Sequence, residues 1–168
     1  PTQSTVSSNV TEDFNSADVM FAQMMVPHHV QAVEMSDVIL AKEGIDPRVV
    51  TLAEEIKAAQ QPEIDALNGM LKSWGMPQAS TDGMAMDHGG SMDGMMTEED
   101  MAALDAATGT EASRLFLEQM IVHHEGAVEM AQIEVDSGTN PDAVAMAQAI
   151  IDTQNIEIET MREILQSL

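Results

Sequence analysis

The chain has 168 residues, 44% of them hydrophobic, and 29 acidic against 6 basic side chains give it a formal charge of −23. That length can bury a core as one domain without disulfide staples, and so acidic a surface repels nucleic acid and anionic membranes. The absence of cysteine excludes thiolate zinc sites, iron–sulfur clusters and cysteine nucleophiles, so any metal must be held by histidine, methionine or carboxylate.

No apolar run approaches the roughly 18–20 residues that span a bilayer, and no cationic-then-apolar signal segment is present. Residues 1–11 are Ser/Thr-rich and start at Pro1 rather than Met, and residues 1–15 are expected to be a flexible N-terminal segment. Such a start fits a secreted or cell-envelope protein after removal of its leader, lipid-anchored before processing. Residues 16–168 are expected to be a single domain in which repeat one (16–74) and repeat two (111–168) flank a Met-rich connecting segment (75–110).

Helices are predicted at 16–43 and 47–74, divided by Gly44 and by Asp46-Pro47, an N-cap followed by proline at the first helical position. Helices at 111–137 and 141–167 are divided in the same way by Gly138 and Asn140-Pro141. Each repeat is therefore a helical hairpin. In the second helices Leu52, Ala53, Ile56, Gln60, Glu63, Ile64, Leu67 and Leu71 correspond to Met146, Ala147, Ile150, Gln154, Glu157, Ile158, Met161 and Leu165, a 3.6-residue rhythm. Pro27 and Pro62 fall inside helices and are expected to kink them; the second repeat has Val122 and Ile156 there. Between the repeats, Met76-Pro77, Asp82-Gly83 and Gly89-Gly90 resist helix, and Thr97-Glu98-Glu99-Asp100 opens a short helix ending near Gly109.

Four of the five histidines lie in two copies of one phrase, from Phe21 to Met35 around His28-His29 and from Phe116 to Met130 around His123-His124. At about 100° per residue, Phe21, Met24, Met25, Ala32 and Met35 fall within about 60° of His28. Phe116, Met120, Ala127 and Met130 share the stripe of His123, with Gln119 in place of Met24, while His29 and His124 sit at the stripe's edge. Neutral imidazole suits copper, zinc, iron and nickel, but thioether selects Cu(I). Each residue has a plainer role, methionine as core filler and histidine as hydrogen-bonded core residue; it is the repetition that points to metal. The glycine-rich stretch holding Met84, Met86, His88, Met92, Met95 and Met96 offers no core for thioethers to fill, which also suits Cu(I). Gln60, Glu63, Gln154 and Glu157 are placed to orient the imidazoles by hydrogen bonds. Trp74 is expected to plug the core or a helix end.

The two His-His phrases, followed by Gln60-x-x-Glu63-Ile64 and Gln154-x-x-Glu157-Ile158, resemble the bacterial family called domain of unknown function 305 over nearly all of residues 16–168. The resemblance implies an all-α fold, a ferritin-like four-helix bundle, here of two duplicated helical hairpins joined by the Met/Gly-rich loop. It also implies export and, as in the CopM-like members, copper binding outside the cytoplasm and a part in copper resistance. His28, His29, Met35, His123, His124 and Met130 carry over as candidate ligands. Leu67, where the second repeat has Met161, departs from the family's Gln-x-x-Glu-Ile-x-x-Met phrase and breaks the equivalence of the halves.

The expected function is therefore that of an extracytoplasmic copper-binding protein that sequesters copper or hands it on, with Cu(I) preferred and Cu(II) open. Its expected partners are copper ions and another copper-handling protein, with homo-oligomers left open. A ferritin-like metal oxidase is weakened by the lack of any Glu-x-x-His, and a metal-free helical module with adaptable Met-rich surfaces is the third reading.

Overall fold

A computed structural model describes residues 13–78 and 94–168. It contains four long helices, α1 (Ser16–Leu40), α2 (Pro47–Ser73), α4 (Gly109–Ser137) and α5 (Pro141–Gln166), with a short α3 (Glu98–Ala106) between the two hairpins. The fold is all-α, a four-helix bundle in which α1 pairs with α2, α4 with α5, and the hairpins join mainly through α1 against α4.

The helix starts follow the sequence signals. Asp46 accepts a hydrogen bond from the Arg48 amide at 2.9 Å, and Asn140 caps the Asp142 and Ala143 amides at 3.1 and 3.0 Å, each ahead of a proline. Thr97 and Asp100 form the capping box of α3. Pro27 and Pro62 lie within α1 and α2, and neither ends its helix. Trp74 caps the end of α2 and stacks on Phe14, ring centroids 5.1 Å apart.

Gly138 departs from expectation. Gly44 has the positive φ of 73° of a left-handed turn, but Gly138 is extended, at φ −72°. Glycine stands there because a Cβ would collide with the Glu134 carboxyl and lie 2.7 Å from Asp18 Oδ1. Asp18 belongs to a capping box with Asn15 that the sequence reading did not include. Its buried carboxylate also accepts hydrogen bonds from the Thr139 and Asn140 amides at 3.1 and 3.0 Å, tying the start of α1 to the α4–α5 turn.

Two buried carboxyls this close cannot both ionise. Burial alone would raise Asp18, but the hydrogen bond from Glu134 and the Asn15, Asn140 and Thr139 amides outweigh it and hold Asp18 below the ordinary carboxylate value. Burial, reinforced by the hydrogen bond to Asp18 and by its charge, pushes Glu134 up to about 8. Glu134 thus keeps a proton in the fold that the unfolded chain releases near its ordinary value of 4.5, so this group's contribution to stability falls as pH climbs between those values. Glu134→Gln, which imitates the protonated acid, should melt above the wild type at pH 8 and lose that advantage by pH 5. A difference in melting temperature that does not change with pH would contradict the assignment.

Candidate metal centre

The two His-His phrases meet at the waist of the bundle. His28 on α1 and His123 on α4 face each other with ring centroids 3.7 Å apart and planes tilted by 38°, and the rings of His123 and His124 lie 6.4 Å apart. All four imidazoles are buried, including His29 and His124 from the stripe's edge. Glu63 on α2 lies 3.2 Å from His29 Nε2, and Glu157 on α5 lies 3.6 Å from His124 Nε2. With a carboxylate accepting, His29 Nε2 carries the hydrogen and Nδ1 turns a bare lone pair to the interior, the arrangement common around metal-bound histidine.

This layer divides the apolar core. On one side Phe21, Met25 and Val26 of α1 pack with Ala127, Met130 and Ala131 of α4, Leu67 and Leu71 of α2, and Ala147 and Ile150 of α5. On the other side Ala32, Met35 and Ile39 pack with Phe116, Leu117, Met120, Ile56 and Met161. Because α1 and α4 run antiparallel, each half receives one methionine three residues before a histidine pair and one seven residues after its first member. Met25 and Met130 thus flank the layer on one side, Met35 and Met120 on the other, all buried.

Buried polar atoms ordinarily find partners, and here several do not. Within the protein, both ring nitrogens of His123, Nδ1 of His29, Nδ1 of His124, both amide atoms of Gln60 and Oε1 of Gln154 make no well-formed hydrogen bond. Burial, then the neighbouring His28, His124 and His29, hold His123 well below the ordinary histidine value of 6.5, with only the His28 backbone opposing. A neutral imidazole with an available lone pair is the form that binds metal.

The donor set sets limits on which metal. Among the described residues no group of three or more His, Asp or Glu side chains is placed to hold an ion, so the layer is not a ready cage of three or more nitrogen and oxygen ligands for any metal. The His28 and His123 rings are closer than ordinary aromatic pairs and admit nothing between their faces; an ion would meet ring edges. Imidazole pairs backed by thioethers suit a soft ion of low coordination number, so the donor chemistry fits Cu(I). A hollow of about 320 Å³ lies elsewhere, between the start of α1 and the end of α4, lined by Met20, Met24, Met130 and Glu134 among others.

Met84, Met86, His88 and Met92 lie outside the described residues. Met95 and Met96 are half-buried, and Met96 is fixed through its backbone: Gln31 Nε2 donates to its carbonyl at 3.0 Å and its amide donates to Gln31 Oε1 at 2.8 Å. Gln119, the counterpart of Met24, donates to the Asp100 carbonyl at 2.9 Å and holds α3 in place. Neither glutamine role was foreseen, although in the second phrase Gly126 visibly replaces Gln31.

Residues 18–165 match the family described as Domain of unknown function (DUF305). The chain belongs to this family. A crystal structure of a family fragment from Deinococcus radiodurans is 32% identical, covers 92% of this chain and 98% of its own, and superposes with a TM-score of 0.81. A family protein from Streptomyces coelicolor, provisionally described as secreted, is 34% identical over 90% of this chain and 93% of its own, TM-score 0.81. CopM in its Cu(II)-bound form is 30% identical over 89% of this chain and 96% of its own, TM-score 0.75; CopM is also known in Cu(I)- and Ag-bound forms. No curated protein matches the chain.

A histidine whose folded value is depressed opposes unfolding above its ordinary value and loses that contribution as pH falls. In ring-nitrogen NMR, His123 should therefore stay neutral well below pH 6.5. Protonation at the ordinary value would contradict the burial argument.

Proposed function

We propose that this DUF305 protein binds Cu(I) at the histidine layer and acts outside the cytoplasm to sequester copper or hand it on. The observation that carries the proposal is that Nδ1 of His29, His123 and His124, all buried, makes no well-formed hydrogen bond within the protein, in a layer flanked on both sides by buried thioethers. In this reading His28, His29, His123 and His124 supply the nitrogens, with Met25, Met35, Met120 and Met130 as the neighbouring soft donors. Glu63 and Glu157 fix ring orientation from α2 and α5, and Gln60 and Gln154, whose buried amides still have unpaired atoms within the protein, are further groups able to orient the rings. Met84, Met86, His88, Met92, Met95 and Met96 form a second capture segment, and the two hairpins are the halves of one duplicated domain, residues 16–168.

Relatives support the choice of metal, since CopM is known with Cu(I), Cu(II) and silver, and silver shares the soft character of Cu(I). Export is supported by the description of the Streptomyces relative. Among the described residues no helix is long and apolar enough to cross a membrane. Another copper-handling protein is the proposed recipient.

His28→Ala with His123→Ala should weaken the tightest Cu(I) site by at least about 100-fold in competition with a chromophoric chelator, since losing outer-sphere partners alone costs about 10–100-fold. Unchanged affinity and stoichiometry would remove the layer from the proposal. Replacing Met84, Met86 and Met92 together by Leu should separately lower the number of Cu(I) ions counted by native mass spectrometry.

A further inference from the structure

The corresponding positions Gln31 and Gly126, each three residues after the first histidine of its phrase, hold one and the same short segment. Gln31 grips both backbone groups of Met96 from α1, which only a carboxamide can do, donating and accepting in one plane. On α4, Gly94 lies so close that a Cβ on it would come within 2.5 Å of the Val122 carbonyl and 3.1 Å of Gly126 Cα. Gly94 also has φ +81°, so it has two reasons to be glycine. The backbone of α4 at Gly126 is thus in close contact with the segment at Gly94.

Two peptide units reach at most about 7.6 Å, less than the roughly 8–10 Å between packed helix axes. A chain fixed on α4 at Gly94 and on α1 at Met96 must therefore lay Met95 across the α1–α4 seam. The height follows from the anchors. Val122 adjoins His123, and Gln31 is about 4.5 Å along α1 from His28, so the crossing falls at the level where the His28 and His123 rings meet. The sequence motif of consecutive methionines, Met95-Met96, thus ends a Met-rich stretch directly beside the imidazole layer.

We propose that Gln31 and Gly126 are positioning residues that seat Met95 as a relay ligand, through which Cu(I) enters the histidine layer across the α1–α4 seam. The proposal rests on the reading of that layer as a Cu(I) site. The relay requires no redox change: the ion exchanges a carrier ligand for the Met95 thioether and then the thioether for imidazole nitrogen, remaining Cu(I). Met95→Leu keeps the apolar volume and removes the sulfur; Gln31→Leu removes both anchoring hydrogen bonds.

The test is stopped-flow transfer of Cu(I) from a chromophoric chelator to the full chain labelled with nitrogen-15 histidine, with ring NMR on the end products. Histidine resonances that do not respond in the wild type would refute the layer as a Cu(I) site. Where they respond, Met95→Leu and Gln31→Leu should each slow transfer by about tenfold, the kinetic equivalent of one net hydrogen bond or soft contact, while Met20→Leu, an exposed thioether away from the segment, transfers at the wild-type rate. Gly94→Ala, which cannot sit against Val122, should slow transfer as Gln31→Leu does and guards against a packing artefact at Gln31; far-ultraviolet circular dichroism verifies that each variant is folded. Unchanged rates in Met95→Leu, or faster transfer in Gln31→Leu and Gly94→Ala, would overturn the relay, the latter by showing that the segment only covers the seam.

Discussion

Packing four imidazoles and two glutamine amides into the middle of an apolar bundle is the constraint to which the other features answer. Burying a polar group without a partner costs on the order of 1–3 kcal/mol, and this layer contains several such atoms. The chain compensates on both sides. Residues from all four long helices fill each half of the core, with Leu67, Leu71 and Ile150 in one and Ile56, Phe116 and Leu117 in the other. Unbranched methionines next to the rings adapt to their shape. The carboxylates of Glu63 and Glu157 approach from the outer helices at the bundle's edge, where they stay partly hydrated.

A second polar device sits at one end of the same bundle and has a different logic. Asp18 and Glu134 share a proton while the Thr139 and Asn140 amides converge on Asp18, so the α4–α5 turn is closed on α1 by a charge-assisted network. In the layer the open atoms belong to imidazoles and amides; in the carboxyl pair the amides converge on Asp18, while Glu134 is held in its protonated form. Both are buried, but their chemistry differs: nitrogen donors in one, a carboxyl pair sharing a proton in the other. Burial and a shifted proton affinity alone would not have told them apart.

The parts of this structure that could be read in the sequence are those set by local chemistry. Asp46-Pro47 and Asn140-Pro141 announce helix starts because cap and proline act within one turn, and the 3.6-residue rhythm placed His28 and His123 on the inward stripe. What could not be read depends on residues far apart in the chain. Gly138 is a glycine because of Asp18, Gly94 because of Val122 and Gly126, and Gln31 is committed to Met96; no local pattern marks any of these pairings. The depth of His29 and His124 was likewise invisible, since it depends on where α2 and α5 lie against the histidine pair.

A bundle cut at the waist by unsatisfied nitrogens carries a stability cost that a bound ligand would relieve. If the layer is the copper site, every ion bound only by the folded chain deepens the folded state in proportion to the logarithm of free metal over the dissociation constant. The empty protein would then open more often than the loaded one, and proteases that act on open chains would remove it first. In an environment that digests idle proteins, the lifetime of the chain would itself register how much copper is present.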